Sequence, residues 1–111
     1  MHAASLSALA DSQLAAAREA SSGRSAVTVF GGREHDLRQT LIALAEGHAL
    51  GEHESPGEAT LQVLQGRVRL SSAEDSWEGA DGDLLVIPPE RHDLAALADS
   101  VVLLTVATRG G

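Results

Sequence analysis

The sequence predicts a single small all-β barrel that is preceded by a short helix. Its 111 residues suffice for one compact domain of ordinary size. From residue 26 onward, short β-branched and aliphatic runs recur, and each is bounded by glycine or by polar turn residues. No strand-like run alternates regularly with a helical pattern, so a parallel α/β sheet is disfavoured.

The first segment of the chain, residues 6–20, has the apolar spacing of a helix. Ser5 or Ser7 could cap its start, and the Ser-Ser-Gly sequence at 21–23 ends it. Two interpretations are open: a docking or dimer-contact helix, or a helix that covers an open end of the barrel. We therefore predict an N-terminal helical segment over residues 1–22 and a barrel domain over residues 23–111.

The barrel itself is predicted from runs with strand character, which are 26–30, 37–45, 60–64, 67–70, 84–87, 93–97 and 101–107. Several short strands at this spacing are typical of a β-sandwich or barrel. Aromatic residues make up only 2% of the chain, so aliphatic side chains must fill the core. Trp77, in a turn or a short strand, is predicted to pack in that core rather than to serve as a ligand platform.

The composition argues against several functional classes. The formal net charge is −8, and an acidic chain repels phosphate backbones, so no nucleic-acid partner is expected. The absence of cysteine excludes disulfides and thiolate zinc sites, and it fits a reducing compartment. No stretch has the pattern of a signal peptide or of a membrane span. The expectation is a cytoplasmic protein with no membrane partner.

Two stretches carry the residue types that site chemistry needs. Residues 47–66 comprise a turn, a strand that bears His53, a Pro-Gly break, a second strand and a glycine turn. Residues 82–92 comprise a glycine turn, an apolar strand and a proline pair that must end the strand. The proline pair leaves His92 at a rigid corner.

The first stretch resembles the first motif of the cupin superfamily. Gly47, His53 and Gly66 stand at the family's spacing. The position of the family's second histidine holds Ser55, and the position of its glutamate holds Ala59.

The second stretch resembles the second cupin motif. Gly82, Pro88 and His92 match it, although His92 arrives one residue early and Glu90 replaces the usual glycine. The whole resemblance covers residues 37–107, which is most of the chain. It implies an antiparallel double-stranded β-helix, or jelly-roll barrel, with a pocket inside and frequent homodimers.

The resemblance also implies where a metal would bind. The family's metal-binding members use three histidines and one glutamate, and His53 and His92 occupy two of those four positions. Iron, manganese, nickel or zinc would need further ligands here, because a catalytic site usually has three from the protein. Glu58 is a weak candidate: it should point outward if Ala59 points inward, unless a bulge after the Pro-Gly break reverses the alternation. His48 and His35 are further candidates.

Three functions stay open. In the first, the protein is a binding module whose barrel pocket, with His53, Ser55 and His92, holds a small hydrophobic or carboxylated molecule. In the second, it is a metal-dependent enzyme of the dioxygenase, isomerase or decarboxylase type. In the third, it is an accessory regulator that acts through a protein partner. Arg91, beside His92, could bind the carboxylate of a ligand.

Overall fold

The computed structural model describes residues 1–54 and 57–108. Within these residues it has one helix and eight strands. In chain order they are α1 (Leu6–Glu19), β1 (Arg24–Phe30), β2 (Leu37–Leu44), β3 (Glu58–Gln65), β4 (Arg67–Ser72), β5 (Ser76–Ala80), β6 (Leu84–Val86), β7 (His92–Ala96) and β8 (Ser100–Ala107). Trp77 lies in β5, so the short-strand alternative is the one that the structure adopts.

The strands form two antiparallel sheets that face each other. The larger sheet has the order β1-β2-β8-β3-β6, and the smaller has the order β5-β4-β7. Several neighbours in these sheets are distant in sequence, as when β2 pairs with β8 along its whole length. This arrangement confirms the predicted all-β jelly-roll barrel with a short N-terminal helix.

Side chains along β2 and β8 alternate between the two faces of the larger sheet. On the inner face, Ile42 lies opposite Val102 and joins the main core between the sheets. On the outer face, Leu41 lies opposite Leu103 and joins a second cluster beneath α1. The second cluster contains Ala10, Leu14, Ala17, Leu41, Ala43, Val101 and Leu103. The smaller sheet covers the inner face of these strands and α1 covers the outer face, so apolar side chains occupy both faces.

Helix α1 begins where Ser5 caps it, since the Ser5 side chain accepts a hydrogen bond from the Ala8 N–H at 3.2 Å. Its buried stripe of Ala10, Leu14 and Ala17 packs on the outer face of the larger sheet. The prediction that the helix covers an open end of the barrel is therefore wrong, because the helix covers an outer face of the sheet instead. The helical spacing reveals that one face is buried, but not against which surface.

One carboxylate ties the helix to the barrel. Asp99 Oδ2 accepts a hydrogen bond from Arg18 Nε at 2.8 Å, and Asp99 Oδ1 accepts one from the Glu46 backbone N–H at 2.8 Å. These bonds hold the pKa of Asp99 below its ordinary value of 3.8. The hydrogen bond from the Glu46 backbone has the larger effect, and the one from Arg18 comes next.

Helix α1 is too short and too polar to cross a membrane, and the described residues contain no other helix.

Candidate functional site

His53 and His92 lie side by side in the structure. Each donates a backbone hydrogen bond to the other, at 2.9 Å from His53 N–H and 3.0 Å from His92 N–H. In such a mutually bonded antiparallel pair the two side chains stand on the same face. Their ring centroids are 4.5 Å apart, and the rings meet edge to face at 69°. The two residues that the motifs single out therefore share one site.

The strands place this pair at one end of the barrel interior. Strand β7 buries alternate residues, His92, Leu94 and Ala96, so His92 faces inward and is only 1% exposed. His53 is exposed and precedes β3, on a segment that pairs irregularly with β7. The pair thus joins a buried imidazole to an exposed one at the rim.

Backbone carbonyls hold both rings through the same atom. His53 Nδ1 lies 2.8 Å from the Gly51 carbonyl oxygen, and His92 Nδ1 lies 2.9 Å from the Glu90 carbonyl oxygen. A carbonyl only accepts, so each Nδ1 carries the proton, and in a neutral ring Nε2 keeps its lone pair. Each ring therefore offers one acceptor nitrogen in an orientation that the backbone has set.

The turn that holds His53 depends on Asp93. The Gly51 N–H donates to Asp93 Oδ1 at 2.8 Å, while the Gly51 carbonyl accepts from the His53 ring. Gly51 has a φ of +94°, a conformation that side-chain-bearing residues rarely adopt. Asp93 is thus a positioning residue for His53.

The structure separates Glu58 from the histidine pair. Ala59 is 5% exposed and belongs to the main core, while its neighbour Glu58 is exposed. The register of β3 against β8 runs without a shift from Glu58 to Val63. Glu58 therefore points to the outer face of the larger sheet, and this corrects its assignment as a weak metal ligand. Ser55 lies outside the described residues.

The other histidines do not join the pair either. His48 is half-buried, and its ring packs so closely on Gly23 that a side chain there would clash with it. His35 is exposed between β1 and β2, with its ring centroid 4.8 Å from that of Phe30. Within residues 1–54 and 57–108, no three His, Asp or Glu side chains converge as a metal site would require.

Arg91 does not face the barrel interior. Its Nη1 atom lies 3.8 Å from Glu54 Oε1, and the two side chains are 58% and 64% exposed. The carboxylate-binding role of Arg91 stays a prediction, and its side chain is an exposed charge beside Glu54.

A cavity of about 190 Å³ opens between β6 and the β4–β5 hairpin, and we call it the β5–β6 cavity. It is lined by Leu70, Ser72, Asp75, Ser76, Trp77, Leu85, Val86, Pro88 and Glu90. Ser72 is the sheet partner of His92, and the Glu90 carbonyl accepts from the His92 ring. The cavity therefore adjoins the histidine pair, although neither ring is among the described residues that line it.

Sequence patterns gave no sign of Ser72 or Asp75 as site residues. The pairing of β4 with β7 brings Ser72 beside His92, and Asp75 follows in the turn after β4, where its carbonyl accepts from Ser72 N–H. No local motif encodes a register between separate strands. Trp77 packs against the main core, as expected, but it also lines the cavity.

A larger concavity, of about 870 Å³, lies elsewhere. It is lined by Gly57, Glu58, Ala59, Thr60, Val86, Ile87, Pro89, Thr105 and Ala107. Thr60 pairs with both Thr105 and Val86, on the face of the sheet that Glu58 shares. This concavity is thus an open groove whose Glu58 and Thr60 side lies on the outer face, while Ala59 and Ile87 of its lining also belong to the main core.

Solved structures with cupin in their names resemble this structure. A cupin superfamily protein from Desulfitobacterium hafniense DCB-2 matches with a TM-score of 0.71 at 17% identity, over 78% of this chain and 78% of that chain. Other matched structures are also named as cupins. The chain therefore has the cupin fold, as its two motifs predict.

Two further solved structures resemble this one in fold. The conserved SPY1581 protein of unknown function from Streptococcus pyogenes matches with a TM-score of 0.73 at 26% identity, over 83% of this chain and 80% of that chain. An HTH_3 family transcriptional regulator from Vibrio cholerae matches with a TM-score of 0.63 at 21% identity, over 78% of this chain but only 51% of that chain. No family model matches the sequence, and no curated protein does so.

Proposed function

We propose that this cupin-fold chain is a binding module that holds a small organic ligand at the end of the barrel where His53 and His92 lie. One observation carries the proposal: both imidazoles stand on one face with Nδ1 held by a carbonyl, so both Nε2 atoms are ready to accept. Ligand sites are mostly apolar concavities with a few convergent polar groups. The β5–β6 cavity beside the pair supplies an apolar concavity of this kind.

The test compares ring variants that keep the anchoring hydrogen bond. The side-chain amide of asparagine can replace Nδ1 as a donor but offers nothing at the position of Nε2. We expect His53→Asn and His92→Asn each to weaken binding of a fragment found by NMR screening, by about 3- to 10-fold for one lost hydrogen bond. His35→Asn, in an exposed loop, is the matched control and leaves affinity unchanged. Equal affinity in all three variants would overturn the proposal.

A second candidate function, the metal-dependent enzyme, is favoured by the same ring anchoring. Histidines that ligate metals almost always donate their other ring N–H to a carbonyl or carboxylate. His53 and His92 fit that pattern, and as ligands they would bind through Nε2. Two imidazoles alone fall short of the three protein ligands of a catalytic site, which makes this the second candidate.

Metal content distinguishes the two candidates. The protein is purified without a histidine tag and exposed to iron, manganese, nickel and zinc in turn. Stoichiometric metal that is lost in the His53→Ala, His92→Ala double variant would support the enzyme. A preparation that retains no metal after this treatment would exclude it. The regulatory hypothesis has no support beyond a likeness in fold to the Vibrio cholerae protein.

We also propose that the chain forms a homodimer. Strand β6 lies at one edge of the larger sheet, and its residues Leu84 and Val86 are 61% and 71% exposed. Exposed apolar edges of this kind are ready to pair with another chain. Light scattering should give the mass of a dimer at micromolar concentration, and a monomeric mass would contradict the proposal.

A further inference from the structure

The β5–β6 cavity combines a tryptophan, several aliphatic side chains and acidic groups. Its apolar lining residues are Leu70, Trp77, Leu85, Val86 and Pro88. Its polar lining residues are Ser72, Asp75, Ser76 and Glu90. The chemistry of a ligand for this cavity follows from its charge, its aromatic wall and its size.

The charge of the lining is negative. Asp75 and Glu90 belong to the lining, and the described lining includes no basic side chain. Asp75 Oδ1 accepts from Ser76 N–H at 2.9 Å, a neutral partner that leaves the negative charge in place. Of the nearby arginines, Arg69 donates to Glu78 at 2.9 Å. Arg91 lies beside Glu54 instead. With a net charge of −8 on the whole chain as well, the field at the cavity attracts cations.

Trp77 supplies an aromatic wall whose position is fixed. Its ring lies so close to Gly79, two residues along β5, that any side chain at Gly79 would clash with it. The ring is half-buried, packs against the main core and borders the cavity. A tryptophan face attracts ammonium groups more strongly than any other aromatic side chain.

The size and spread of the polar groups indicate an organic cation rather than a metal ion. Asp75 and Glu90 are part of no three-residue group able to hold a metal within the described ranges. The volume of about 190 Å³ is larger than a single ion or water needs. That space suits an ammonium group with a few carbon atoms, and the aliphatic lining can bury those carbons.

We propose that the β5–β6 cavity binds the ammonium group of a small organic cation, with Trp77 against the cation and Asp75 and Glu90 balancing its charge. This inference rests on the proposed binding function and names the class of ligand. It replaces the hydrophobic or carboxylated ligand that the sequence predicts, because a carboxylate would face two acidic groups there.

The test uses choline, tetramethylammonium and 1-aminopropane as cations, and 3,3-dimethyl-1-butanol as the neutral isostere of choline. Trp77 is the only tryptophan of the chain, so its fluorescence reports on the cavity. We expect saturable changes with at least one cation, and about 10-fold weaker binding of the neutral isostere, from the size of cation–π attraction. Equal binding of choline and its isostere would contradict the proposal.

Substitutions in and near the cavity separate the contribution of its charge to ligand affinity from the contribution of its packing. Glu90→Gln should weaken cation binding about 3- to 10-fold and leave the neutral isostere unaffected. Glu78→Gln removes the same charge from the opposite face of β5. It should change neither the affinity for the cation nor the affinity for the neutral isostere. Trp77→Phe keeps an aromatic face, so NMR titration should show weakened but detectable cation binding.

Each outcome bears separately on the class of ligand and on the binding function. If only neutral or anionic fragments bind, and binding depends on His53 and His92, the cation proposal is overturned while the binding function stands. If no probe of any charge binds, both proposals fail.

Discussion

Each histidine of the pair donates from Nδ1 to a backbone carbonyl, and this anchoring decides what the rings can offer a ligand. His92 cannot rotate freely because it is 1% exposed. His53 is exposed, so its orientation depends on Gly51 and, through Gly51, on Asp93. Single residues that shape the backbone therefore determine the geometry of the site.

Alanine substitutions at two glycines separate the free-energy cost of backbone strain from the cost of a steric clash. Gly51 has a φ of +94° with open space around an added Cβ, so Gly51→Ala should cost about 1–2 kcal/mol from strain alone. Gly23 has a φ of +68° and lies against the His48 ring, so Gly23→Ala should cost about 2–4 kcal/mol. Urea unfolding measures the loss of unfolding free energy in both variants. A Gly51→Ala cost equal to that of Gly23→Ala would show that the His48 contact contributes nothing.

The motifs made His53 and His92 predictable, because their residue types and spacing are local properties of the sequence. The acidic and hydroxyl groups of the cavity were not predictable in this way. Ser72 reaches the site only through its pairing with His92, and that register depends on the packing of the whole barrel. The outward orientation of Glu58 was predictable, because the alternation of side chains along a strand needs no tertiary information.

At the scale of elements, most strands follow from their β-branched and aliphatic runs. Strand β5, Ser76–Ala80, is harder to predict because it contains Gly79 and little apolar alternation. Its pairing with β4 along five residue pairs supplies the stability that its own propensity lacks. Helix α1 has a clear apolar stripe, but the surface that it covers is set by the tertiary fold.

The contact between α1 and the barrel should depend on pH through Asp99. Its pKa is lowered in the folded chain by hydrogen bonds from Glu46 N–H and Arg18, so the ionised form stabilises the fold. This contribution is present above the ordinary value of 3.8 and is lost as the pH falls through the lowered pKa. Asp99→Asn should therefore be less stable than the parent chain at pH 7, and the difference should shrink by pH 3.

Urea unfolding at several pH values between 7 and 2 measures this difference. Asp11→Asn is a suitable control, since it removes a carboxylate from an exposed position of the same helix. A stability difference for Asp99→Asn that stays constant with pH would show that its carboxylate charge does not stabilise the fold.

At the scale of the whole molecule, the helix and the barrel share a core. The boundary between residues 22 and 23 remains a prediction from the sequence, and the second cluster crosses it, since Leu14 and Ala17 pack with Leu41 and Val101. The cytoplasmic location likewise remains a prediction from the sequence.

Removal of residues 1–22 should therefore damage the barrel. The truncated chain would expose the outer-face side chains of β2 and β8 that α1 now covers, and an apolar patch of this kind promotes aggregation. Size-exclusion chromatography and thermal unfolding should show aggregation or a strongly lowered Tm. A monodisperse fragment with the Tm of the full chain would show that residues 23–111 form an independent domain.

The central claim is that ligands bind at the histidine pair rather than in the larger groove on the outer face. Long-range ¹H–¹⁵N NMR of the histidine rings tests it most directly. Without ligand, His53 and His92 should both show protonated Nδ1 and unprotonated Nε2, and a bound ligand should shift those Nε2 signals while His35 is unaffected. Unchanged ring signals, together with ligand-induced shifts at Thr60 and Thr105 in the outer groove, would contradict the claim.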